Sequence, residues 1–141
     1  MDADRGVRID AVRDGAGLKA FIDIPWRVFA GDPAWVPPLK KERAEVLDRN
    51  KNPFFQHAEV ELFTAWVDGR PCGRISAQID RRVSARHGAD LGHFGFLDAV
   101  DSGPVFDGLL NAAEAWLEAR GVRRVRGLLF NGHEGGIVAA P

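Results

Sequence analysis

Tyrosine is absent from this 141-residue chain, and cysteine and methionine occur once each. No phenol is therefore available to give or take a proton, and the lone thiol, Cys72, excludes an internal disulfide. Cys72 and the scattered His57, His87, His93 and His133 make no zinc-binding spacing, so no metal site is expected. The net charge is −1. Whole-chain charge thus offers nothing to nucleic acid, and no nucleic-acid motif is present. No apolar run approaches the ~18 residues that a membrane-spanning helix needs. Neither nucleic acid nor membrane is expected as a partner. The first ten residues, MDADRGVRID, hold no apolar signal core, which points to a cytoplasmic location.

A hydrophobic fraction of 45%, nine Phe and four Trp provide for a real core. Length and composition fit one compact domain over 1–141 rather than a disordered chain. Val7–Arg13 alternates apolar and charged residues as a strand does, and Gly15 and Gly17 break it. Leu18–Phe29 has helical spacing, with Pro25 expected to kink or divide the helix. Asp32-Pro33 and Pro37-Pro38 force an extended connection, followed by a short helix at Lys40–Leu47 and an aromatic turn at Asn50–Phe55. Ala58–Val67 and Cys72–Val83 read as two strands joined at Asp68-Gly69, a strong hairpin signal. Val60, Leu62, Thr64 and Trp66 share one face of the first strand; Glu59, Glu61, Phe63 and Ala65 share the other.

Ala85–Asp90 is read as a polar connection to a third strand, Leu91–Asp98, which carries Gly92 and Gly95. A glycine there marks either a bulge or a close approach of backbone to something else. Pro104 suits the first helical position after Ser102 or Gly103. Val105, Leu109, Ala112, Ala113, Trp116 and Leu117 make one apolar stripe to about Ala119. Val122–Phe130 is the final strand candidate, and 131–141 is expected to be a loosely ordered tail. The order β, α, α, β, β, β, α, β favours an α/β (α+β) domain, a mixed, mostly antiparallel sheet with helices packed on it.

That order resembles the acyl-CoA N-acyltransferase (GNAT) fold. Several phrases are similar to a bacterial GNAT-like family of unassigned substrate: Phe21–Pro25 (FIDIP), Asp32–Leu39 (DPAWVPPL), Asn52–Val60 (NPFFQHAEV), Gly73–Asp80 (GRISAQID), Gly92–Leu97 (GHFGFL) and Ala112–Gly121 (AAEAWLEARG). Members of that family are usually longer, so the resemblance implies a domain lacking C-terminal elements, with an exposed sheet edge near Val122–Phe130 as a candidate homodimer surface.

The resemblance also implies a function, acyl transfer from acetyl-CoA or another acyl-CoA to an unknown amine. Backbone groups of Phe94, Gly95 and Phe96 would meet the pantetheine arm, and Ser102 and Gly103 would lie at the pyrophosphate. The family's phosphate loop has the pattern Arg/Gln-x-x-Gly-x-Gly/Ala. Here its arginine position falls at Asp101 and its glycines near Pro104 and Phe106. An acid repels phosphate and proline offers no N–H, so a GNAT-like interaction module that binds no CoA is the alternative reading.

An amine acceptor must lose a proton. Glu59 and Glu61, two apart on a strand, are candidate general bases, or else a solvated strand face. His93 is a third candidate, or an ordinary semi-buried histidine. His57 is read as a loop anchor and Cys72 as a plain hairpin-edge residue. The clusters Arg81, Arg82, Arg86 and Arg120, Arg123, Arg124, Arg126 are candidates for phosphate contact if folding brings them to the Ser102 loop, and otherwise solvated. Trp26, Trp35, Phe54 and Phe55 either wall a substrate pocket or pin the long 31–57 connection.

Overall fold

The computed structural model describes residues 6–131 and 136–139, with the backbone alone for 128–131 and 136–139. β1 (Val7–Ala11), β2 (Ala58–Val67), β3 (Arg70–Asp80), β4 (Leu91–Ala99), β5 (Arg124–Asn131) and β6 (Gly136–Ala139) form one sheet in chain order. Neighbours run antiparallel except β4 and β5, which are parallel. α1 (Gly15–Val28), α2 (Lys40–Val46), α3 (Arg81–His87) and α4 (Gly103–Glu118) occupy the connections, with a 3-10 turn at Pro53–Gln56. The mixed, mostly antiparallel sheet flanked by helices is the architecture the sequence predicts.

Local chemistry explains the joints. At the β2–β3 hairpin Asp68 and Gly69 both take positive φ, 52° and 76°, as a two-residue turn between twisted strands requires. The Asp14 carboxylate accepts from the Gly17 N–H at 2.7 Å. It thereby caps α1 ahead of two glycines that the sequence reading places outside the helix. β3 stops at Asp80 rather than Val83, because the Asp80 carboxylate accepts from the Arg82 N–H at 2.9 Å and starts α3. A helix thus stands where a polar connection is expected.

The sheet is packed on both faces. Val105, Leu109, Ala113 and Leu117 of α4 lie on Phe63, Ala65, Ile75, Ala77 and Ile79. On the opposite face Phe21 and Ile22 of α1 join Val46, Leu47, Val60, Leu62 and Phe96. Gly92 is a packing glycine: a Cβ there would come within 2.8 Å of Leu117 Cδ2.

β5 is an interior strand between β4 and β6, so the uncovered edge expected at Val122–Phe130 is not formed; β1 and β6 are the sheet's edges. Part of the predicted loose tail is strand, since Gly136–Ala139 pairs with Leu128–Asn131. Residues 132–135 and 140–141 lie outside the described residues.

Candidate active site

The site begins with a missing hydrogen bond. Pro25 sits inside α1, which continues through it to Val28. Proline has no N–H, so the Phe21 carbonyl, four residues earlier, loses its helical donor. Arg74 of β3 supplies one: its Nη1 donates to the Phe21 oxygen at 3.1 Å. Nε and Nη2 of the same guanidinium donate to Asp98 Oδ2 at 3.1 and 2.9 Å. The guanidinium carbon lies 5.0 Å from the ring centroids of both Phe21 and Phe96. Arg74 is 5% exposed. Burial pulls its pKa down, and the Asp98 carboxylate opposes that shift. One buried cation therefore joins α1, β3 and β4 at a single point.

Beside Arg74 the β3–β4 register slips. The pairs step from Ser76–Gly95 to Arg74–Asp98, a bulge that contains Phe96 and Leu97. Phe96 takes φ 50°, in the left-handed region that a bulky residue rarely adopts. On the other side of β4, the parallel ladder to β5 runs from Leu91–Arg124 to Phe94–Gly127 and ends there. β4 thus changes its pairing on both sides within a few residues.

A cleft of about 370 Å³ opens at this bulge. α1 supplies Pro25 and Phe29, the 31–39 loop supplies Trp35, Val36 and Pro38, and α2 supplies Arg43. Arg74, Phe96, Leu97 and Asp98 form its sheet wall. Burial lowers the Arg43 pKa, and the Arg74 cation adds to the shift. Both arginine hydrogen bonds to Asp98 fall on Oδ2, which leaves Oδ1 outside that pair. The cleft therefore combines a charged floor with an apolar rim.

The chain is similar to known proteins of two kinds. It is 50% identical over 111 residues to the bacterial ceramide synthase of Caulobacter vibrioides, covering 78% of this chain and 29% of that protein. To Protein YghO of Escherichia coli it is 46% identical over 110 residues, 78% of this chain and 28% of that protein. The chain therefore spans under a third of the length of these curated relatives. No protein-family profile matches it. Among solved structures, a tandem GNAT protein from the clavulanic acid biosynthesis pathway superposes with a TM-score of 0.66 at 12% identity, covering 86% of this chain and 36% of that one. An aminoglycoside acetyltransferase from an uncultured soil metagenomic sample superposes at 0.62 with 14% identity, over 89% of this chain and 79% of that one. The chain has the GNAT fold.

Within the GNAT fold, the residues singled out from the sequence fall in different places. Glu59 and Glu61 alternate with Val60 and Leu62, so they share the α4 face of the sheet, opposite the cleft. Glu61 accepts two hydrogen bonds from Arg13, at 2.7 and 3.0 Å, and Glu59 lies 4.0 Å from Arg120. His93 is 3% exposed and pairs in register with Gln78 and Arg126. Burial lowers its pKa, the Arg126 cation lowers it further, and Asp80 opposes both. Phe94 packs toward the α4 core and Gly95 pairs with Ser76.

At the start of α4 the Ser102 hydroxyl accepts from the Val105 N–H at 3.4 Å, and its carbonyl accepts from Phe106 at 3.1 Å. Pro104 has no N–H, so among the described residues the Gly103 N–H is what that helix end can offer an anion. The arginine clusters lie elsewhere. α3 precedes β4 and Arg124 opens β5, whereas the Ser102 loop leaves the far end of nine-residue β4, roughly 25 Å along the strand. Arg124 is tied to Asp90 at 2.8 Å.

Other expectations resolve into structure. His57 Nδ1 lies 2.9 Å from Asp80 and the ring meets Phe54 edge-on, which makes it a loop anchor. The buried Cys72 thiol donates to the Ala65 carbonyl at 3.4 Å, and burial raises its pKa. Trp35 lines the cleft with Trp26 behind it, while Phe54 and Phe55 pack on the α1 core. Arg74, Asp98 and Arg43 are the cleft residues that sequence reasoning missed. Arg74 alternates with buried Ile75 like any half-exposed strand residue, and only the missing donor at Pro25 points to what it binds.

Proposed function

We propose that this domain transfers an acyl group from acyl-CoA to a primary amine, with the amine in the cleft between α1 and β4. The observation that supports the reading is the coincidence of three features. The β4–β5 ladder ends at Phe94, the bulge two residues on holds Phe96 at positive φ, and the cleft opens beside that bulge. In this reading the parted strands admit the pantetheine arm against the backbone of Phe94, Gly95 and Phe96, and Ser102 and Gly103 lie toward the phosphates. The amine nitrogen attacks the thioester carbonyl, the C–N bond forms, the C–S bond breaks, and CoA leaves as a thiolate that takes up a proton.

Asp98 is assigned as acceptor of the amine proton, with Arg74 holding its Oδ2. His93, whose pKa burial lowers, is the second candidate; Glu59 and Glu61 face α4 and rank behind both. The relative named a ceramide synthase is 50% identical over 111 residues. A ceramide is the amide of a fatty acid with a long-chain amino alcohol, so such an amino alcohol is the first acceptor to try, with a long-chain acyl-CoA as donor.

Thiol release from the acyl-CoA, with and without the amino alcohol, tests the assignment. Release that depends on the amine and falls about a hundredfold in Asp98→Asn, with acyl-CoA affinity unchanged, is the expected result. Undiminished release in Asp98→Asn removes that residue from the role. A second reading, an interaction module that binds no CoA, draws support from the α4 N-terminus, where Asp101 adjoins a helix end with its donors largely consumed.

A further inference from the structure

The loop between α1 and α2 holds apolar surface out in water at the mouth of the cleft. Val36 is 83% exposed and Leu39 66%. The loop is braced rather than slack. Pro33, Pro37 and Pro38 fix its backbone. Trp35 packs edge-on to Trp26 at 5.4 Å and stacks on Phe29 at 5.6 Å. The Asp32 carboxylate accepts from the Ala34 N–H at 2.9 Å. Val36 and Leu39 are thus presented outward by a frame that resists folding them back.

The shoulder beside them is basic. Lys19, Arg27, Lys40 and Lys41 are exposed on α1 and the start of α2. Asp23 is shared by Lys19 at 2.6 Å and Lys40 at 2.9 Å. One carboxylate between two ammonium groups leaves positive charge over, and Glu42 and Asp32 lessen it without cancelling it. Lys40 also lies 4.7 Å over the Trp26 ring. The whole chain carries −1, so this basic character is local. Aliphatic side chains projecting between tryptophans and lysines form the pattern of a segment that lies in a membrane interface.

We infer that the 31–39 loop docks on an anionic lipid surface, with Val36 and Leu39 entering the acyl boundary and the lysines meeting headgroups. Val36 also lines the cleft, so the cleft mouth would open at that surface. Among the described residues no helix is long and apolar enough to cross a membrane, and the inferred contact is a peripheral one. The inference stands on the loop and its charges, whether or not the domain transfers acyl groups.

Sedimentation of the full chain with phosphatidylglycerol vesicles, against phosphatidylcholine vesicles, tests it. Binding to the anionic vesicles is expected, weakening roughly fivefold or more between low and high salt. Val36→Asp with Leu39→Asp should reduce it roughly tenfold. Arg27→Glu with Lys41→Glu should remove the preference for anionic lipid. All four positions lie on the surface, so circular dichroism should be unchanged in these variants. A folded chain that sediments with neither vesicle overturns the proposal, as does binding that survives the Val36→Asp, Leu39→Asp pair. A dimer in solution that this pair dissociates also overturns it, by making a second copy the occupant.

Discussion

A guanidinium buried under a helix needs its donors filled, and at Arg74 they are filled by an aspartate and by a carbonyl that a proline has orphaned. Removing the side chain would strand Asp98 and the Phe21 carbonyl together. Arg74→Met should therefore cost about 3 kcal/mol in urea unfolding. Pro25→Ala returns an N–H to Phe21, so in that background the same substitution should cost about 1 kcal/mol less. A double-mutant cycle with no coupling would show that the Phe21 contact is incidental. His93 gives a second test at this scale. Burial depresses its pKa below the ordinary 6.5, so the unfolded chain binds that proton more readily than the folded one. The stability His93 withholds is zero above about pH 6.5 and grows as pH falls toward the folded pKa. His93→Gln should flatten that decline in thermal melts taken between about pH 7 and 5.

At the scale of elements, α4 packs on the face of β4 opposite the cleft. Gly92 lets α4 lie close, and Gly92→Ala should destabilise by about 1–3 kcal/mol because the side chains of Leu117 and Val122, both buried, must shift to admit the methyl. Denaturant midpoints at unchanged slope would check it.

The elements were largely legible in the sequence where a single interaction defines them: the Asp68-Gly69 hairpin, the Ser102-Gly103-Pro104 helix start, the apolar stripe of α4. They were misread where a side chain outbid local propensity. Asp14 caps a helix that opens on glycine, Asp80 ends β3 early, and packing around buried Pro25 keeps α1 whole. The candidate site was half legible. The sequence marks an irregular strand at Gly92 and Gly95, and the structure puts the bulge just beyond, at Phe96 and Leu97. Trp35, read as either pocket wall or loop pin, lines the cleft and packs on Trp26 and Phe29 as well. Arg74, Asp98 and Arg43 meet only through long-range contacts, which no local pattern encodes. Glu59 and Glu61 share a face as read, but periodicity does not tell which helix covers that face.

At the scale of the molecule, one sheet serves two packed faces. The α4 face is a plain hydrophobic core; the α1 face carries the cleft, the buried cation and the exposed apolar loop. The similarity to GNAT structures rests on this frame rather than on sequence, at 10–18% identity. The central functional claim is that the parting of β4 and β5 admits acyl-CoA, even with Asp101 and Pro104 at the loop that follows. Calorimetric titration of the purified chain with a short and a long acyl-CoA measures this most directly. The account predicts saturable binding that Gly95→Trp abolishes without unfolding the chain. A folded chain that binds neither acyl-CoA would contradict it and leave the interaction module as the reading of this domain.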